Sequence, residues 1–83
     1  MNIFVANLPY QVKDDQLKEL FEKYGEVSSV KIIVDKFSGR SKGYGFVEMF
    51  SEEEAIKAIE SLNGFEIEGR ALAVKKSEDR PRR

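Results

Sequence analysis

The sequence predicts an α+β sandwich of element order β-α-β-β-α-β, a four-stranded antiparallel sheet with two helices on one face. Two observations carry this. Four segments alternate apolar with polar residues, two others place apolar residues at spacings of three and four, and the two kinds interleave in that order. Two helices with a single apolar stripe each can cover only one face of such a sheet, so the other face is left open.

Residues 2–7, NIFVAN, are apolar and β-prone, and Leu8-Pro9 ends the run. From Asp14 to Tyr24 the period changes: Leu17, Leu20, Phe21 and Tyr24 form one helical stripe, with Gly25 expected to close it in the left-handed conformation. Val27 to Asp35 alternates again, with Val30, Ile32 and Val34 in one phase. KFSGRS, 36–41, is a polar loop turning at Gly39, and residues 42–50 form a third strand. Ser51 with Glu54 three residues on is a capping box, and three glutamates in the first turn suit the helix dipole. Ala55, Ala58, Ile59 and Leu62 make the second helical stripe, closed by Asn63-Gly64. Residues 69–76 alternate as a last strand through Leu72 and Val74. A hairpin joins the second and third strands, and each helix crosses between parallel strands, which is the split-βαβ, ferredoxin-like plan. Residues 1–76 therefore form one domain, and 77–83 a basic tail expected to be disordered.

At 83 residues there is room for one small core. The chain has neither Cys nor His, which removes thiol chemistry, the usual zinc ligands and any nucleophile–His pair. No enzyme activity, cofactor, metal or small-molecule substrate is expected. No apolar run is long enough to span a membrane, and MNIFVANLPY lacks the pattern of a secretory signal. A cytoplasmic monomer is the expectation.

The formal net charge is −1, but the charges are segregated. Residues 1–12 carry none. Residues 51–69 hold six glutamates against one lysine, whereas residues 70–83 hold six basic side chains against two acids. Once the blocks are assigned to elements, that asymmetry becomes spatial.

The strand phases decide which side chains face the helices. In KGYGFVEM, 42–49, burying Tyr44, Phe46 and Glu48 would drag a carboxylate into the core, at several kcal/mol without a partner. Burying Gly45, Val47 and Met49 carries no such penalty. The second strand buries Val30, Ile32 and Val34 and turns Lys31 out; the last buries Leu72 and Val74 and turns Lys75 out. In the first strand Ile3 and Val5 go in, so Phe4 goes out. The open face then bears Phe4, Tyr44 and Phe46 among Lys31, Glu48 and Lys75. Leaving such rings out of the core forgoes roughly 1.5–3 kcal/mol each, and an apolar patch rimmed by charge marks a binding surface.

IFVANL, 3–8, resembles the hexapeptide ribonucleoprotein motif of RNA-recognition-motif domains, and KGYGFVEM resembles their octapeptide motif, K/R-G-F/Y-G/A-F-V-x-F/Y. Met49 departs where an aromatic is usual; its inward phase makes this a matter of packing. Lys13 departs where the family often has a Ser or Thr cap, which leaves Asp14 to cap the first helix. The resemblance spans roughly residues 2–76, and the short form with a basic tail looks most like stand-alone bacterial members. It implies that the first and third strands are central neighbours and that single-stranded RNA lies across the sheet. Bases would stack on Phe4 and Tyr44, with Phe46 against the sugars. Lys31, Arg40, Lys42 and Lys75 would meet phosphates, joined by Lys76, Arg80, Arg82 and Arg83; Phe37 is a candidate for a flanking base.

Other readings stay open at this point. The same face could serve as a protein-interaction module, although family members that bind peptides typically lose the outward rings. Single-stranded DNA could stack as RNA does. Small acyl-phosphate hydrolases share the fold plan, but ANLPYQV, 6–12, has no charge with which to hold an anion. The spacing of Gly39, Gly43 and Gly45 matches no nucleotide-cradling loop; Gly45 is expected to let a helix approach the sheet closely, and Gly43 to serve the backbone conformation.

Overall fold

The computed structural model describes residues 1–77. Its elements are β1 (Asn2–Ala6), α1 (Asp14–Glu22), β2 (Val27–Val34), β3 (Ser41–Met49), α2 (Glu52–Leu62), β4 (Glu66–Ile67), β5 (Arg70–Ala71) and β6 (Ala73–Lys76). Four strands form one sheet in the order β2-β3-β1-β6, each neighbour antiparallel, and β4 pairs with β5 as a separate short hairpin. This is the ferredoxin-like arrangement, with both helices on one face.

The core lies between the helices and that face. Leu17 and Phe21 of α1, and Ala55, Ala58 and Leu62 of α2, pack with Ile3, Val5, Val47, Met49, Leu72 and Val74 of the sheet layer. Phe4, Tyr44 and Phe46 are absent from this cluster. Met49 is 1% exposed, so its departure from the octapeptide pattern is a core substitution.

Several local expectations are corrected. The last strand is not continuous: the chain makes the β4–β5 hairpin first. Leu72 then donates to Phe65 and accepts from Gly64, which ties the end of α2 to the final strand before β6 begins. Val34 is not buried but 51% exposed, because β2 is an edge strand whose register with β3 is interrupted between Ile32 and Val34. A second interruption, between Val27 and Ser29, lets Val27 face the core although it is out of phase with Val30. Asp14 does not cap α1. Lys13 occupies the cap position, and its backbone N–H donates to the Gln16 side chain at 3.1 Å. Ser51 caps α2 as expected, accepting from the Glu54 N–H at 3.3 Å.

Two glycines act through proximity. Gly25 is not left-handed; a Cβ there would fall 2.6 Å from the Cβ of Glu54, so its absence lets the turn after α1 lie against the first turn of α2. Gly45 does admit a close approach, but of the neighbouring strand and not of a helix: a Cβ would sit 2.5 Å from the Lys31 carbonyl oxygen and 2.9 Å from the Ile32 Cα. Gly43, with φ +91°, takes the left-handed conformation that the β3 irregularity needs. Gly45→Ala should therefore lower stability by about 1–3 kcal/mol in urea unfolding, since rigid backbone must move. An unchanged midpoint would show that β2 and β3 are not held so closely.

Candidate nucleic-acid interface

Registers place the outward side chains in rows across the sheet. Lys31 of β2 pairs with Phe46 of β3, Phe46 with Phe4 of β1, and Phe4 with Lys75 of β6. The result is one line, Lys31–Phe46–Phe4–Lys75, spanning all four strands. The next row toward the β2–β3 hairpin holds Tyr44 opposite Ala6 and then Ala73; the row on the other side holds Ser29, Glu48 and Asn2.

The three rings form a triangle. Their centroids lie 5.5 Å (Phe4–Phe46), 5.9 Å (Phe4–Tyr44) and 6.5 Å (Tyr44–Phe46) apart, with interplanar angles of 55°, 40° and 90°. These are tilted and edge contacts, which suit the ring quadrupole. The rings are half-buried, against one another and the sheet. The Lys75 Nζ stands 5.7 Å from the Phe4 centroid, adding a cation–π contact at the edge of the platform. Phe4, Lys75, Lys76 and Ser77 line a shallow depression there.

Arg40 and Lys42 lie outside the ring row, at the hairpin end, and are exposed. The hairpin is held by its own hydrogen bonds: Asp35 N–H to Arg40 O, Gly39 N–H to Asp35 O, and Phe37 N–H to the Asp35 carboxylate. Phe37 projects from it 100% exposed, with no ring contact to the platform. Arg80, Arg82 and Arg83 lie outside the described residues.

One cluster was not anticipated. Beyond Tyr44, Asn7 follows β1 with φ 62°, its amide donates to Ala71 O at 2.8 Å, and its side-chain oxygen accepts from Arg70 at 3.1 Å. The Arg70 guanidinium lies 5.4 Å from the Tyr10 centroid, and Tyr10 is 63% exposed. Arg70 thus adds positive charge at the hairpin end of the face. The residues are some sixty positions apart in sequence, and no local pattern joins them. The acids of α2 are on the opposite side, since α2 packs on β6 and β3 from the helical layer.

The family model described as RNA recognition motif matches residues 3–73, and the chain belongs to that family. It is 50% identical over 74 residues to the 29 kDa ribonucleoprotein A, chloroplastic, of Nicotiana sylvestris, a match covering 89% of this chain and 27% of that protein. The chain spans 26% to 35% of the length of the curated relatives it matches. Among solved structures, the crystal structure of RNA binding protein PG1 superposes with a TM-score of 0.93 at 48% identity, covering 99% of both chains. The structure of the Rna15 RRM with bound RNA (GU) gives 0.85 at 31%, covering 94% of this chain and 83% of that one. These curated relatives are plant chloroplast ribonucleoproteins, so neither the likeness to bacterial forms nor the cytoplasmic placement draws support from them. No helix among the described residues is long and apolar enough to cross a membrane.

The two faces make opposite demands on a phenyl ring. Phe21→Ala should cost about 3–5 kcal/mol as a core deletion. Phe4→Ala should cost less than half as much and leave the far-UV circular dichroism unchanged. Equal losses in thermal unfolding would mean that Phe4 belongs to the core.

Proposed function

We propose that this chain binds single-stranded RNA on its open sheet face. Bases stack on Phe4 and Tyr44, Phe46 packs against the sugars, and Lys31, Arg40, Lys42 and Lys75 meet phosphates. The observation that carries this reading is the row Lys31–Phe46–Phe4–Lys75, an aromatic centre with a cation at each end. Unpaired bases have apolar faces that stack on aromatic side chains, while the backbone between them carries charge that lysines at the margins neutralise. Segregated charge lets a protein of net charge −1 present a basic front.

The names of the relatives and the RNA-bound structural neighbour support RNA as the partner. No observation favours a peptide partner, whereas the three retained rings favour bases. Residues 1–76 act as the binding domain, in a monomer, with 77–83 as an accessory basic segment. A platform for two bases with few phosphate contacts corresponds to a dissociation constant on the order of micromolar.

In fluorescence titrations with a short single-stranded RNA, Phe4→Ala and Tyr44→Ala should each weaken binding by about fivefold to 150-fold. Unchanged affinity for Phe4→Ala, Tyr44→Ala and Phe46→Ala alike would rule out stacking on the sheet. For the wild-type chain, log K against log salt should have a slope no steeper than about −3, at roughly −0.7 per phosphate contacted. A much steeper slope would assign the binding to diffuse charge.

A further inference from the structure

We infer that Glu48 makes this face selective for guanine, read by its Watson–Crick edge; the inference rests on the proposed RNA binding. Glu48 is the one acidic residue within the four strands of the main sheet. An anion among Lys31, Phe46, Phe4 and Lys75 opposes the attraction of phosphates, so its contribution to the surface must come from something other than the RNA backbone.

Its surroundings leave the carboxylate available. Glu48 is exposed and pairs across the strands with Ser29 on one side and Asn2 on the other. Among the described residues the carboxylate's one hydrogen bond is a long one, from the Ser29 hydroxyl at 3.4 Å to Oε1, and it enters no ion pair. Lys31 and Lys75 lie in the neighbouring row. Glu48 is the diagonal neighbour of Phe4, which pairs with Phe46. Diagonal positions on antiparallel strands are about 7–8 Å apart, within reach of a long side chain. A base lying on the Phe4 ring therefore presents one edge toward this carboxylate.

A carboxylate only accepts hydrogen bonds, and its two oxygens suit two adjacent donors. Guanine alone offers that pair on its Watson–Crick edge, the N1–H and the 2-amino group. Adenine and cytosine present an amino group beside an acceptor nitrogen, which the carboxylate repels. Uracil presents a single N3–H between two carbonyls. The carboxylate thus favours guanine and disfavours each alternative, discriminating by repulsion as well as attraction.

The test uses the 83-residue chain and uridine-rich oligomers carrying a single guanine, adenine or inosine, read by fluorescence anisotropy, with an all-uridine oligomer as reference. Wild type should bind the guanine oligomer about tenfold tighter than the adenine one. Inosine, which keeps N1–H but lacks the 2-amino group, should fall between them. Glu48→Gln, at an exposed site, should keep its circular dichroism, reduce the guanine preference to about twofold or less, and hold or raise affinity for the all-uridine oligomer as the anion is removed. A wild-type guanine preference below about twofold, or one that survives Glu48→Gln, would overturn the inference while leaving sheet-face stacking intact. Failure of the stacking reading is visible separately, as an all-uridine affinity that Phe4→Ala does not change; guanine selection by Glu48 would fall with it.

Discussion

The ladder between β1 and β3 pairs Phe4 with Phe46, Ala6 with Tyr44 and Asn2 with Glu48, and the composition of both faces of the sheet follows from that register. Because side chains alternate along a strand, a slip of one residue would send either Ile3 and Val5 or Val47 and Met49 toward solvent, and turn either Phe4 or Tyr44, Phe46 and the Glu48 carboxylate toward the helices. The penalty for burying an unpaired carboxylate, together with the loss of aliphatic burial, selects the observed register. Gly45 supports it from the side, since only a residue without Cβ allows the β2 backbone to approach this closely. The platform is therefore a consequence of how the core is packed.

The same partition organises charge. Helix α2 begins with Glu52, Glu53 and Glu54, which favour its N-terminus, and it packs against the sheet on the side away from the rings. Lys31 and Lys75 occupy outward positions on the two edge strands, flanking the aromatic centre. Acid that stabilises a helix and base that attracts a polyanion are thus kept on opposite sides of a thin molecule. Arg70, held by Asn7 and stacked toward Tyr10, extends the basic margin around the hairpin end.

The sheet phases were legible because three of the four strands held a charged residue that could be placed only one way, Lys31, Glu48 and Lys75, and the uncharged first strand followed their phase. The helices were legible from their stripes. What local pattern could not supply was contact between distant segments. The bulge that brings Val27 into phase with Val30, and the irregularity that leaves Val34 exposed, are properties of the β2–β3 pairing. Gly25 and Gly45 looked like conformational or helix-packing residues because their partners, Glu54 and Lys31, lie elsewhere in the chain. The final strand read as one alternating run, but it is divided at Leu72, which donates to Phe65 O and accepts from the Gly64 N–H. In the site, the ring triangle and its flanking lysines were legible from phase and motif. The Asn7–Tyr10–Arg70 cluster was not, since its members meet only after the β4–β5 hairpin folds back on the end of β1.

The account stands or falls on whether nucleotides lie against the β1–β3 rings. Intermolecular nuclear Overhauser effects between a bound RNA oligomer and the 83-residue chain observe this directly. Base protons should contact ring protons of Phe4 and Tyr44, sugar protons should contact Phe46, and the amides of α1 and α2 should keep their chemical shifts. RNA contacts confined to the helical face, with the three rings undisturbed, would contradict it.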